Sequence, residues 1–243
     1  MTDALRSELR KLRHTRSLLA ILVVGLAVAV AGTALLVSIG KPDEIARRLS
    51  EHGPLRFGPT NFGLLLLVFG MRIFTDEVHH RTIASTYTRT PNRASVLAAK
   101  AVVAAGTAAL FTIVVNVVVV PITIVGVQLR DLEMTYDLAA TAALASRVVG
   151  AMVLFTLLGL AVGAALRNRT VALVTGLGWF ALAESVVGSV RHVERFLPGT
   201  AMQDLVAAES GRASTAPVAA VILGVLVAAA AGAALAVVRH DVA

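Results

Sequence analysis

The sequence predicts an all-α membrane protein, six transmembrane helices preceded by an amphipathic interfacial helix, and three observations predict it. The chain is 57% hydrophobic and only 15% charged over 243 residues, where soluble domains carry roughly 25% charge. Its mean hydropathy is +0.81. Four stretches lack Asp, Glu, Lys and Arg altogether: Ser17–Gly40 (24 residues), Ala101–Leu129 (29), Val148–Leu166 (19) and Ala213–Val238 (26). Each matches the run of about 20 apolar residues that crosses a bilayer. Cysteine is absent, which excludes a disulfide framework, a thiolate metal site and a cysteine nucleophile.

The elements follow in chain order. Residues 1–17 form a cytoplasmic amphipathic helix. Leu5, Leu9 and Leu12 recur at helical spacing while Arg6, Arg10, Lys11, Arg13 and Arg16 fill the other faces, a helix suited to lie in the membrane surface; Thr2 or Asp3 caps it. A signal peptide is disfavoured, since the 24-residue run that follows exceeds a normal signal core. Residues 18–243 are the six-span domain, with spans at about 18–38, 58–75, 94–127, 139–166, 170–190 and 216–238. The second is interrupted by Arg72, close enough to the end to snorkel into the headgroups. The fifth contains Glu184. The third opens at Thr90-Pro91, a threonine cap before a proline in the first helical turn. From Pro91 to Val127 an α-helix is about 55 Å long, against a hydrocarbon core of about 30 Å. It must tilt or project, with Arg93 and Lys100 near the headgroups or beyond them and residues 77–89 as a short helix beneath the membrane.

An even number of spans puts both termini on one side. With the termini cytoplasmic, the inside segments hold 11 Lys and Arg in 44 positions and the outside segments 8 in 56, the bias expected of that orientation. The net charge of +7 then answers to anionic lipid and needs no nucleic acid, for no aromatic-plus-basic motif accompanies it.

One stretch carries a specific pattern. Glu77-x-x-x-Arg81-Thr82-x-x-x-Thr86-x-x-x-Thr90-Pro91-x-Arg93, followed by Ala99-Lys100, resembles the first cytoplasmic loop of type-2 ABC exporter permeases. In that family a Glu, a Gly-Thr or Arg-Thr pair, a Pro-x-Arg and an Ala-Lys mark the passage from the second span to the third. The family also has a basic helix before six spans and a structured outer segment between the fifth and sixth, which Leu197-Pro198-Gly199 and residues 201–205 resemble. The chain departs from the pattern at His79-His80.

The resemblance implies type-2 ABC exporter architecture and a division of labour. The loop 76–93 would couple to a separate cytoplasmic ABC ATPase carrying ATP and Mg, with Glu77, Arg81, Thr82, Thr86, Pro91 and Arg93 as the coupling residues. Two permease chains, as a homodimer or a related heterodimer, would sit among membrane lipids in a bacterial plasma membrane. This chain holds no cofactor of its own: no Gly-x-x-x-x-Gly-Lys-Ser/Thr occurs, and its Gly40-Lys41 is followed by Pro42.

Catalytic and metal chemistry are unsupported. There is no HExxH, no Gly-x-Ser-x-Gly and no carboxylate pair within a span; His79-His80 and His192-x-Glu194 lack metal-ligand spacing. Within the spans, Gly159-x-x-x-Gly163 is a close-packing signal, and Asn116 and Pro121 mark a kink or ordinary packing. Arg147 and Glu184 fall at matching depth in the fourth and fifth spans. Two readings stand: they pair across the spans, or Arg147 snorkels while Glu184 meets water or is protonated. The leading function is the permease of an ATP-driven exporter with a path for amphipathic or lipid-like cargo, as in multidrug or lipid export. The alternative is a non-transporting membrane scaffold or assembly factor.

Overall fold

The computed structural model describes residues 2–14, 16–42, 45, 59–79, 93–132, 138–180, 186, 197 and 224. Six helices lie within them: α1 (Thr2–His14), α2 (Arg16–Ile39), α3 (Pro59–His79), α4 (Arg93–Gln128), α5 (Leu138–Leu166) and α6 (Arg169–Gly178). No strand occurs among the described residues. Among the described residues, three stretches are long and apolar enough to cross a membrane: Leu18–Ile39, Ser95–Gln128 and Thr141–Leu166. The expected sixth span, 216–238, lies outside the described residues, as do most of the fifth beyond α6 and the outer segment around Pro198.

Successive helices alternate in direction, so α1 shares one end of the bundle with the start of α2, the end of α3, the start of α4 and the α5–α6 turn. α3 occupies the middle. Leu66, Leu67, Phe69 and Met71 on it are fully buried; one apolar cluster joins Leu66 and Phe69 to α2, α4 and α5 through Ala29, Ala108, Phe111, Val148 and Met152, and a second packs Leu67 and Met71 with Ala172 of α6. That position explains how α3 carries Arg72, Asp76 and Glu77: charges facing protein partners escape the cost of facing hydrocarbon. It also corrects the expected snorkelling of Arg72, whose Nη2 lies 2.9 Å from Asp76 Oδ2.

Glycine determines the closest approach. α3 and α5 run parallel, and an added Cβ at Gly159 would strike the backbone carbonyl of Leu67, one at Gly163 would lie 2.6 Å from Met71 O, and one at Gly70 would strike Thr156 O. Backbone meets backbone at all three, as small-residue packing between membrane helices permits. Threonines enter the apolar core by returning their hydroxyl protons to their own helix: Thr75 donates to Met71 O (2.9 Å), Thr112 to Ala108 O (2.8 Å), Thr123 to Val119 O (3.0 Å) and Thr156 to Met152 O (2.9 Å). α4 continues unbroken through Pro121, although proline there cannot donate to the Val117 carbonyl.

The helix ends are specified locally. α4 stops in a Schellman motif: Asp131 is left-handed (φ 53°), Leu132 N donates to Val127 O (3.2 Å) and Asp131 N to Gln128 O (3.1 Å). Arg130 then reaches α2, its Nη1 donating to Val37 O (2.9 Å) and Gly40 O (2.7 Å), carbonyls at α2's end that helix bonding leaves open. Val37, Ile45 and Val127 bury together beside it. α5 ends on left-handed Arg167 (φ 52°), whose N–H donates to Gly163 O (3.0 Å). Asn168 caps α6 by accepting from Val171 N at 3.1 Å. Two residues therefore turn the chain from α5 into α6.

Candidate functional site

The α1 end of the bundle gathers the charge. The spacing of Leu5, Leu9 and Leu12 suits a helix in the membrane surface; toward the bundle, α1 buries Glu8, only 5% exposed, while Leu9 is 55% exposed. The helix is held by its polar residues because α4 offers a cation there. Lys100, about two turns into α4 and the last charged residue before that helix ends at Gln128, is buried; its side chain is 1% exposed. A buried ammonium requires a counter-charge. It finds two, Glu8 Oε2 at 2.7 Å and Glu77 Oε1 at 2.6 Å. Lys11 completes the ring, its Nζ 2.7 Å from Glu8 Oε1 and 3.0 Å from Glu77 Oε1. Among the described residues, two cations and two carboxylates thus join three helices. Burial works to lower the Lys11 pKa, but the bonds to Glu8 and the attraction of Glu77 together outweigh it and leave that ammonium above the ordinary lysine value.

Lys100, expected near the headgroups or beyond, takes its counter-charges from protein carboxylates. α3 also runs on through His79, so Glu77 sits in its last turn and not on a separate helix beginning at residue 77. A helix continued to the rim of the bundle gains the bonds to Lys11 and Lys100 that a break at residue 76 would forfeit. A second cluster lies on the same end: Asp76, bound by Arg72, has Arg169 Nε at 3.7 Å from its Oδ1, which ties α3 to the start of α6.

Of the residues singled out from sequence, Glu77 belongs to the charge ring, and Gly159 and Gly163 lie against the α3 backbone. Arg93 begins α4. Arg147 is half-exposed on α5. Asn116 is placed within α4 with its Nδ2 buried and without a hydrogen-bond partner. Arg81, Thr82, Thr86, Pro91 and Glu184 lie outside the described residues, so the Arg147–Glu184 pairing does too. Sequence reasoning missed Glu8, Lys11, Asp76 and Arg169. The available signals were a glutamate amid five basic residues in 1–17 and a lysine within a long apolar helix, each of which calls for a partner. No group of three or more His, Cys, Asp or Glu able to hold a metal ion occurs among the described residues.

The chemistry of this end is therefore mechanical: a ring of ion pairs ties α1 and α4 to α3, the helix that leads into residues 80–92. No curated protein gives a significant match to the chain. The family described as ABC-2 family transporter protein matches residues 4–183, a stretch running from α1 through α6 and including the charge ring. With most of its length so matched and several helices apolar enough to span a bilayer, this multi-pass membrane protein belongs to the ABC-2 transporter family and is an ABC-2 type permease.

Proposed function

We propose that the chain is the membrane-spanning subunit of an ATP-driven exporter, coupled through residues 76–93 to a separate cytoplasmic ATPase and assembled as two permease chains. The observation that carries the reading is the family match over residues 4–183, which takes in the coupling segment whole. Glu77 and the start of α4 bracket that segment. A push on residues 80–92 would reach both α3 and α4 directly, and helices transmit it because their internal hydrogen bonds are not contested in lipid. On this reading the α1 end is cytoplasmic and both termini lie inside, in agreement with the Lys and Arg bias. Six spans, with α1 as an interfacial helix, complete the architecture.

The cargo is inferred from the lining chemistry. Apolar Leu, Val, Ala and Phe dominate the helices, and the few intramembrane polar groups, such as Asn116 and Arg147, are too sparse to form the rings that select small ions. Amphipathic or lipid-like molecules fit better. We assign Glu77 and Arg81 to orienting the loop and Thr82 and Thr86 to its contact with the ATPase. The experiment is copurification with the ATPase encoded beside this chain, in nanodiscs, then a screen for compounds that stimulate ATP hydrolysis. A stable complex with stimulated hydrolysis supports export; failure of any such ATPase to bind refutes the coupling and favours a scaffold.

A further inference from the structure

We propose that Lys100 is a positioning residue for coupling, holding Glu8 permanently and Glu77 reversibly, so that α3 can leave α1 and α4 without stranding a buried cation. The inference rests on the reading that the segment after α3 engages an ATPase.

The described helices fall into two tied groups. α1, α2 and α4 are linked at both ends: Lys100 binds Glu8 at one, and Arg130 holds the end of α2 at the other. α3, α5 and α6 are linked by the backbone contacts at Gly70, Gly159 and Gly163 and by Arg169 beside Asp76. Between the groups, α4 meets α5 largely through apolar side chains such as Phe111, Val115, Val148 and Met152. Such contact has no preferred direction and tolerates sliding. Glu77 is different: it is a directional, charge-assisted link from the second group into the first, and it lies in the last turn before the proposed coupling segment.

The ring has a spare carboxylate that makes this link releasable. If α3 withdraws Glu77, Lys100 keeps Glu8 at 2.7 Å and Lys11 keeps the other oxygen of Glu8, also at 2.7 Å. The excess positive charge then resides on a cluster whose Lys11 side chain is 39% exposed and can be screened by water. With Lys100 bound to Glu77 alone, withdrawal would leave a buried ammonium with no counter-charge, which is strongly unfavourable. Glu8 therefore makes the Glu77 contact reversible, and the two carboxylates, alike in chemistry, have opposite roles.

Opposite roles give an asymmetric test. The chain lacks cysteine, so spin labels at Arg10→Cys on α1 and Thr170→Cys on α6, both exposed positions, report the separation of the two groups. In nanodiscs, Glu77→Gln in the permease alone should shift the distance distribution. Glu8→Gln should leave it unshifted, but should abolish the shift that ATP and vanadate produce in the wild-type permease–ATPase complex. Lys100→Arg should retain wild-type behaviour in both states, and Lys100→Met should shift both. Equal effects of Glu8→Gln and Glu77→Gln, or no shift in Glu77→Gln, would overturn the proposal by reducing the ring to a structural staple. A shift in Glu77→Gln without any nucleotide-driven shift in the wild-type complex would instead overturn the coupling reading while upholding the releasable contact.

Discussion

Replacing Gly159 by alanine adds one methyl group where α5 touches α3 backbone to backbone. The Cβ would collide with the Leu67 carbonyl, and Leu67 is fully buried at the bundle centre, so neither helix can give way locally. Overpacking of this kind costs about 1 to 3 kcal/mol, and a rigid backbone neighbour argues for the upper end. Alanine returns about 1 kcal/mol through its better helix propensity. The net loss is about 2 kcal/mol, or roughly 4 to 8 °C for a chain of this size. Gly106 on α4 supplies the control, because a Cβ there meets nothing within 4 Å; Gly106→Ala keeps the propensity gain and should melt up to about 2 to 4 °C higher. Gly176→Ala lies between them, since its Cβ meets the Met71 side chain, a flexible thioether that can shift. Apparent melting temperatures follow from the folded peak remaining on size-exclusion after heating in detergent. The expected order is Gly106→Ala, wild type, Gly176→Ala, Gly159→Ala; a Gly159→Ala protein that melts as high as Gly106→Ala would refute the close-packing argument.

Three other outcomes follow from the same geometry. Arg130→Met removes both bonds to the α2 carbonyls and, at about 1.5 to 3 kcal/mol for charge-assisted bonds, should lower the apparent melting temperature more than Arg10→Met, whose side chain is exposed; equal effects would deny Arg130 its capping role. Single cysteines at Ser50, Thr135 and Ser210 should react with an impermeant maleimide in intact cells, and labelling only after lysis would reverse the proposed orientation. For Arg147 and Glu184, the double change Arg147→Glu with Glu184→Arg should fold better than either single neutral replacement if the two pair; no improvement over the singles would leave each to its own solvent contact.

What the sequence determined by itself is the class of the protein. Uncharged runs of 19 to 29 residues allow few fates other than a membrane helix, because lipid admits only elements that satisfy their own backbone. The Glu77 to Lys100 pattern led to the family for a related reason: it places several residue types at fixed separations along one stretch of chain. Local signals of this kind are legible wherever neighbours in sequence decide the outcome, and the Gly159-x-x-x-Gly163 spacing is another. The tertiary structure decided which partners meet. Residue spacing in α1 marked an amphipathic helix; that Glu8 turns into the bundle was decided by the buried charge on Lys100, since an uncompensated buried ammonium is strongly unfavourable. Arg72 read as a snorkelling residue when α3 was imagined facing lipid, and it became an internal partner of Asp76 once α3 stood in the middle of the bundle. The ring of Glu8, Lys11, Glu77 and Lys100 joins residues up to 92 positions apart, a separation over which periodicity carries no information, and only the packing of three helices brings its charges within 3.0 Å.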